Sequence, residues 1–224
     1  MVLSFFKKGE SPLDRISHET VLMLGDARHS FDLASTALLA GADASAVSSD
    51  IRATDDRINA AEQRLRSELV VHIAVNGGDD IGVVMGYTLL LKKIERIGDQ
   101  AKNILDLAED GISLSGAPDI EEFLTRRQTI SQMYVDAADI LVSLDVDSAR
   151  QFLDRSMEMN RECEQKIHDY MRSDEPGHWA VPRAVLHRYW KRIVANLAGI
   201  VTSAIEPIQS LDYTDNGSTD IVDD

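Results

Sequence analysis

The chain has 224 residues, 44% hydrophobic and 27% charged, enough for one or two domains with a real core. Aromatic residues make up 5% and prolines number 5, a composition that disfavours sandwiches and barrels and points to an all-α protein. A net charge of −15, from 38 acids against 23 bases, lacks the basic footprint that direct nucleic-acid binding needs, and the single Cys163 excludes an internal disulfide or a Cys-rich metal site and agrees with a reducing compartment.

Residues 1–12 read as a flexible N-terminus. The run MVLSFFKK places a very short apolar stretch before its lysines, the reverse of a secretory signal's order. Phe5 and Phe6 beside Lys7 and Lys8 offer a contact for a membrane surface or a partner, but an unstructured start is the favoured reading. No apolar stretch approaches the roughly 20 residues that span a bilayer. The longest uncharged candidate, Ile81 to Leu91, contains two glycines and runs into Lys92 and Lys93, so a cytoplasmic protein is expected.

The first helix is expected from about Ser17 to Leu39, with Val21, Leu24, Phe31, Ala34 and Leu38 on one side, and Gly41 and Asp43 mark its turn. A second runs from about Ala44 to Ala74, carrying Val47, Ile51, Ile58, Ala61, Leu65 and Leu69 at near-heptad spacing, and Asn76 to Gly78 close it. Asp79 or Asp80 then caps a third helix that ends near Gly111. This third helix carries the most distinctive stretch of the chain, YTLLLKKIERIGDQAKNI, Tyr87 to Ile104. Apolar residues at Tyr87, Leu90, Leu91, Ile94, Ile97, Ala101, Ile104 and Leu105 define one buried face. Measured from Ile94 at about 100° per residue, Glu95 stands near 100° and Asp99 near 140°, stacked on the shoulder of that face and reachable from outside.

Residues 112–118 (ISLSGAP) form a linker. A second trio follows: Asp119 to Leu144 with Ile120, Phe123, Ile130, Met133, Ala137 and Ile140 inward; about Ser148 to Met171 through Phe152, Met159, Cys163, Ile167 and Tyr170; and about Val181 to Ile205, after the break at Pro176 and Gly177. Residues 13–111 and 119–209 are therefore two tandem three-helix-bundle repeats of six long helices. Residues 210–224 are acidic, nearly core-free and read as a disordered tail.

The two trios repeat each other. An offset of 96 residues sets Leu90 on Leu186, Ile94 on Trp190, Ile97 on Ile193, Ala101 on Leu197, Ile104 on Ile200 and Leu105 on Val201. An offset of 101 sets Ile58 and Asn59 on Met159 and Asn160. The packing face is kept while the acids are not, because Glu95 falls on Lys191 and Asp99 on Ala195.

Stacked carboxylates on a helix repel and invite a cation. They suit Mg, Mn, Fe or Zn if other groups complete the shell. The plainer reading is a salt-bridged surface, Lys92 with Glu95 and Lys102 with Asp99, and spacing alone favours it.

In its setting, the run KKIERIGDQAKNI resembles the PhoU family of phosphate-uptake regulators. That family's hallmark is an acid, three residues and Asp in an R-I-G/A-D context, here Glu95 to Asp99 followed by Asn103 and Ile104. Asp55-Asp56-Arg57-Ile58-Asn59 fits the family's acid, hydrophobe and Asn on the preceding helix. The resemblance spans roughly Leu13 to Gln209. It implies a two-repeat bundle without catalytic activity that binds a divalent or transition metal (Fe, Zn, Mn or Mg) through Glu95 and Asp99, with Asp55 as a weaker helper. It also implies a cytoplasmic regulator that contacts a phosphate ABC-transporter ATPase or another phosphate transporter, and a sensor histidine kinase. Peripheral membrane association through these partners and a homo-oligomer, a dimer, are expected with it. Lys191 and Ala195 cannot supply a second metal site, and Lys191 is expected to form a salt bridge where a metal would sit.

Two other classes compete: a metal-dependent phosphate-handling hydrolase using Glu95, Asp99 and Asp55, and a helical scaffold without a metal site. The first lacks an accompanying base or phosphate-binding donors. His29 follows Asp26 by three residues as a surface pair, and His18, His72 and His168 stand on separate helices. His178 and His187 flank the last loop, and none forms a catalytic pattern. Cys163 reads as a buried inert thiol and Met157 with Met159 as packing. Gly77 and Gly78 precede a helix, but Asp79 and Asp80 repel a phosphate there. Kinase and hydrolase motifs are missing from the sequence.

Overall fold

The computed structural model describes residues 12–205, so the expected flexible N-terminus and acidic tail lie outside the described residues, apart from Pro12 at the very start of the first helix. Six helices follow one another: α1 (Pro12–Ala40), α2 (Ala44–Asn76), α3 (Ile81–Glu109), α4 (Ile120–Ser143), α5 (Val146–Met171) and α6 (Gly177–Ile205). There is no strand among the described residues, and the fold is all-α. The first three helices pack on one another, and so do the last three, with α5 lying mainly along α6 and touching α4 little. Two contacts, α1 on α4 and α3 on α6, join the trios.

The apolar periodicity of each helix explains this layout. On α3, Leu90, Leu91, Ile94, Ile97, Ala101, Ile104 and Leu105 are all buried, while Tyr87 is half-buried at the margin. Each Leu or Ile so covered contributes roughly 1.5–3 kcal/mol. The α2 stripe buries Ile51, Ile58, Leu65 and Leu69, and α6 buries Leu186, Trp190, Ile193, Leu197 and Ile200 at the matching repeat positions. Where the trios meet, Phe31 of α1 stacks on Tyr134 of α4 at 5.5 Å, and Arg28, Asp32, Arg127 and Ser131 form a polar seam beside them.

The turns hold three departures from expectation. Pro12 opens α1 five residues ahead of the expected start, a position where proline's fixed φ suits a helix and its missing N–H costs nothing. The last helix begins at Gly177 rather than Val181 and carries Pro182 inside it, near enough to the start that the carbonyl it leaves unbonded belongs to exposed His178. Asp80 occupies the position before α3 without capping it, because its carboxylate is taken by His72 of α2 at 2.8 Å. By contrast, Asp43 and Asp145 cap α2 and α5 through the amides of Ser45 and Ser148.

The 112–118 segment packs into the bundle. Leu114 is buried, its amide donates to the Leu38 carbonyl at 2.9 Å, and Gly41 (φ +70°) passes so close to Ser115 that a Cβ there would stand 3.0 Å from its Oγ. No helix among the described residues is long and apolar enough to cross a membrane.

The candidate acidic site between α2 and α3

The site is built where two antiparallel helices approach each other. Gly98 faces α2, and a Cβ on it would stand 3.5 Å from Ile58 Cδ1 and 3.6 Å from Asp55 Oδ1. Asp55 thus lies over the backbone of α3 beside Gly98. Asp55 is nearly covered, its side chain 12% exposed, and Asn59 Nδ2 donates to its Oδ2 at 3.2 Å. Asp99 reaches into the same seam from α3 with 45% exposure, and Glu95, one turn away, is 16% exposed. The order of burial follows the helical angles: the acid at about 100° is covered and the one at about 140° is open.

Structure brings Asp55 and Asp99 together around one cation, the ammonium of Lys102. Lys102 Nζ lies 2.8 Å from Asp55 Oδ2 and 3.0 Å from Asp99 Oδ1. Burial opposes the charge on Lys102, but the hydrogen bonds to Asp55 and then Asp99 outweigh it and hold its pKa above the ordinary lysine value. Glu95 is not part of this group. It pairs with Lys92 of its own helix at 2.7 Å. Both ion pairs expected from the spacing, Lys92–Glu95 and Lys102–Asp99, are therefore present, and Lys102 adds a third carboxylate contact across the helices.

At this seam, sequence reasoning passed over Glu62. It is 7% exposed, and its carboxylate is paired with Arg66 at 3.0 Å. The Asp55–Lys102 contact fixes the antiparallel register, which sets residue 62, two turns further along α2, opposite residue 95 on α3. Its signal was available: Glu62 interrupts the apolar stripe that joins Ile58 to Leu65, and an acid in such a slot needs a partner.

A metal at this site has to be tested against these donors. Asp55 Oδ1 is buried and accepts no hydrogen bond, which favours a cation. Against that, no three His, Cys, Asp or Glu side chains among the described residues stand close enough together to hold a metal ion. The position between Asp55 and Asp99 is filled by the chain's own ammonium, so the residues as arranged do not fit a metal.

The second repeat is charged differently at the equivalent place. Ser156 stands where Asp55 would, bonded to the Phe152 carbonyl, and Val194 stands in place of Gly98. Lys191, in the place of Glu95, pairs with Glu164 of α5 and holds that carboxyl below the usual range. At the far end, Arg183 is 3% exposed, grips Asp119 through two bonds of 2.8 Å and lies 4.0 Å above the Trp179 ring. His187 corrects the expectation that it flanks a loop: it lies inside α6, buried among Phe123, Tyr170 and Trp190. Arg126 donates to its Nε2 at 2.7 Å while its Nδ1 bonds the Arg183 carbonyl, and burial lowers its pKa to about 4. Cys163 is buried as expected, and burial raises its thiol pKa to about 12.

These features define a class: an all-α protein of two three-helix repeats whose seam carboxylates are paired with cations of the chain, with buried His187 and Cys163 held neutral. Residues 20–108, most of the first repeat, match the family model described as PhoU domain. Among solved structures the chain is similar to PhoU from Pseudomonas aeruginosa, with a TM-score of 0.74 at 21% identity, over 91% of this chain and 98% of that one. At that identity the likeness establishes the fold, and it extends through both repeats. No curated protein matches the chain.

Proposed function

We propose that this protein is a PhoU-like regulator of phosphate uptake and phosphate signalling that works in the cytoplasm by protein contact and not by catalysis. The observation that carries the reading is the PhoU domain spanning residues 20–108, set in a fold shared with a PhoU protein along nearly its whole length. The chemistry of the interior agrees. A thiol held near pKa 12 and an imidazole near 4 are poor nucleophile and base at neutral pH, and both are buried. The acids that a hydrolase would need are bound to lysines and arginines of the chain.

The partners this reading calls for are a phosphate ABC-transporter ATPase or another phosphate transporter, and a sensor histidine kinase, with a dimer as the working form and membrane association only through those partners. With a net charge of −15, contacts fall to basic patches on the other protein. The test is capture: the immobilised full chain should retain a purified phosphate-transporter ATPase or the cytoplasmic part of a phosphate-sensing kinase at micromolar concentration. Retention of neither, together with turnover of a phosphate ester by the purified chain, overturns the reading in favour of an enzyme.

A further inference from the structure

We propose that Lys102 is the resident cation of the α2–α3 seam, its ammonium linking Asp55 to Asp99 in the position that a divalent ion would need. The inference goes beyond the regulatory role and holds whether or not the chain contacts a transporter. Two observations converge on it. Lys102 Nζ is within 3.0 Å of carboxylates from both helices. Asp55, the most covered of the three predicted ligands, spends one oxygen on Lys102 and Asn59 and points the other at the gap left by Gly98.

The remaining acids of the seam are partnered in the same way, Glu62 by Arg66 and Glu95 by Lys92, so four carboxylates are met by three cations of the chain. The second repeat repeats the device, with Lys191 of α6 bound to Glu164 of α5. A lysine on the third helix of each trio thus ties a carboxylate on the second. An ammonium offers three donors and one positive charge, sufficient for a nearly covered Asp55 and an Asp99 that is open to water. A metal would have to displace it and assemble a shell from side chains that already have partners.

Two measurements on the full chain test this. Calorimetric titration with manganese chloride and with zinc chloride should give the same binding for the native chain and for Asp55→Asn/Asp99→Asn, any weak sites elsewhere on the acidic surface being common to both. Thermal unfolding of Lys102→Met, Asp55→Asn and the double variant should show each single change lowering Tm by about 3 °C, and the double change lowering it by clearly less than their sum, because removing both partners leaves no unpaired buried charge. Native binding of either metal at least tenfold tighter than that of Asp55→Asn/Asp99→Asn overturns the proposal. So do additive losses in Tm, which would mean that Lys102 and Asp55 are not coupled.

Discussion

The seam between α2 and α3 and the seam between α5 and α6 come from one repeated pattern and each carries a lysine clip, yet they differ in how closely charge enters the packing. In the first repeat the helices close over Gly98, and acids from both sides enter the gap, each met by a lysine or arginine. In the second, Val194 fills the glycine's place, Ser156 replaces the central acid, and the strong charge pairing moves to the end of the bundle, where Arg183 and Asp119 join α6 to the residue before α4. The apolar faces superimpose throughout. What a duplicated bundle must keep is the packing stripe and local neutrality, while the place and sign of individual charges are free to move.

Breaking the second repeat's anchor should have the largest effect. Arg183 is fully enclosed, with two bonds to Asp119 and a third to the Trp179 carbonyl at 2.9 Å. Arg183→Ala leaves Asp119 without its cation and empties the space against Trp179, for a loss of about 3 kcal/mol, or about 6–12 °C in Tm. Thermal unfolding followed by circular dichroism measures it. A loss under 1 kcal/mol would place the repeat's stability in the apolar stripe alone.

Next in size is a pH effect confined to the same repeat. His187 is neutral in the fold, with a pKa of about 4 against an ordinary value of 6.5. Above pH 6.5 neither state binds the proton. Between 6.5 and 4 the unfolded chain binds it and the folded chain does not, so stability declines as pH falls, by about 1.4 kcal/mol per unit at the steepest and about 2–3 kcal/mol by pH 4.5. Asp119, its carboxyl lowered chiefly by the hydrogen bond from Arg183, adds a loss of the same sign at lower pH. Urea unfolding from pH 7 to 4.5 should therefore show a slope that His187→Gln reduces. An unchanged slope would assign the decline to carboxylates.

Much of this comparison was legible in the sequence, and the limits have physical causes. The helices and the repeat were readable because burial imposes a 3.6-residue period that single residues reveal, as Leu90 through Leu105 do on α3. The pairing of Lys102 with Asp99 was readable because both lie on one helix. Its bond to Asp55 was not, since 47 residues separate them and only the antiparallel docking of α2 brings them together. Asp80 was misplaced as a cap because its competitor His72 lies on the previous helix. The Arg183, Asp119 and His187 cluster was missed for the same reason: its members come from α6 and the residue before α4, and Pro182 disguised where α6 begins.

A smaller effect probes the glycine that distinguishes the first seam. A methyl group on Gly98 would meet Ile58 Cδ1 and Asp55 Oδ1 at ordinary contact distances of 3.5 and 3.6 Å. Gly98→Ala should therefore keep the helices where they are and gain about 0.8 kcal/mol of helix propensity. Destabilisation in chemical unfolding would show instead that Asp55 needs the open backbone. Bulk, as in the second repeat's Val194, is expected to push Asp55 aside.

The smallest expected effect sets the two lysine clips against each other. Lys191 and Glu164 pair on the flank of α5, where both side chains are partly exposed and Glu164 also has His168 at 3.3 Å. An exposed pair of this kind is worth about 0.4 kcal/mol, so Glu164→Gln should shift Tm by about 1 °C. Asp55→Asn, at a carboxylate that is almost covered, should cost several times more, because the fold then holds the Lys102 ammonium against one open acid only. Equal losses from the two substitutions would mean that the closeness of α2 to α3 gives Asp55 no advantage over a surface glutamate. A larger loss at Asp55 makes the first seam the one in which charge, and not only the apolar stripe, sets how closely two helices dock.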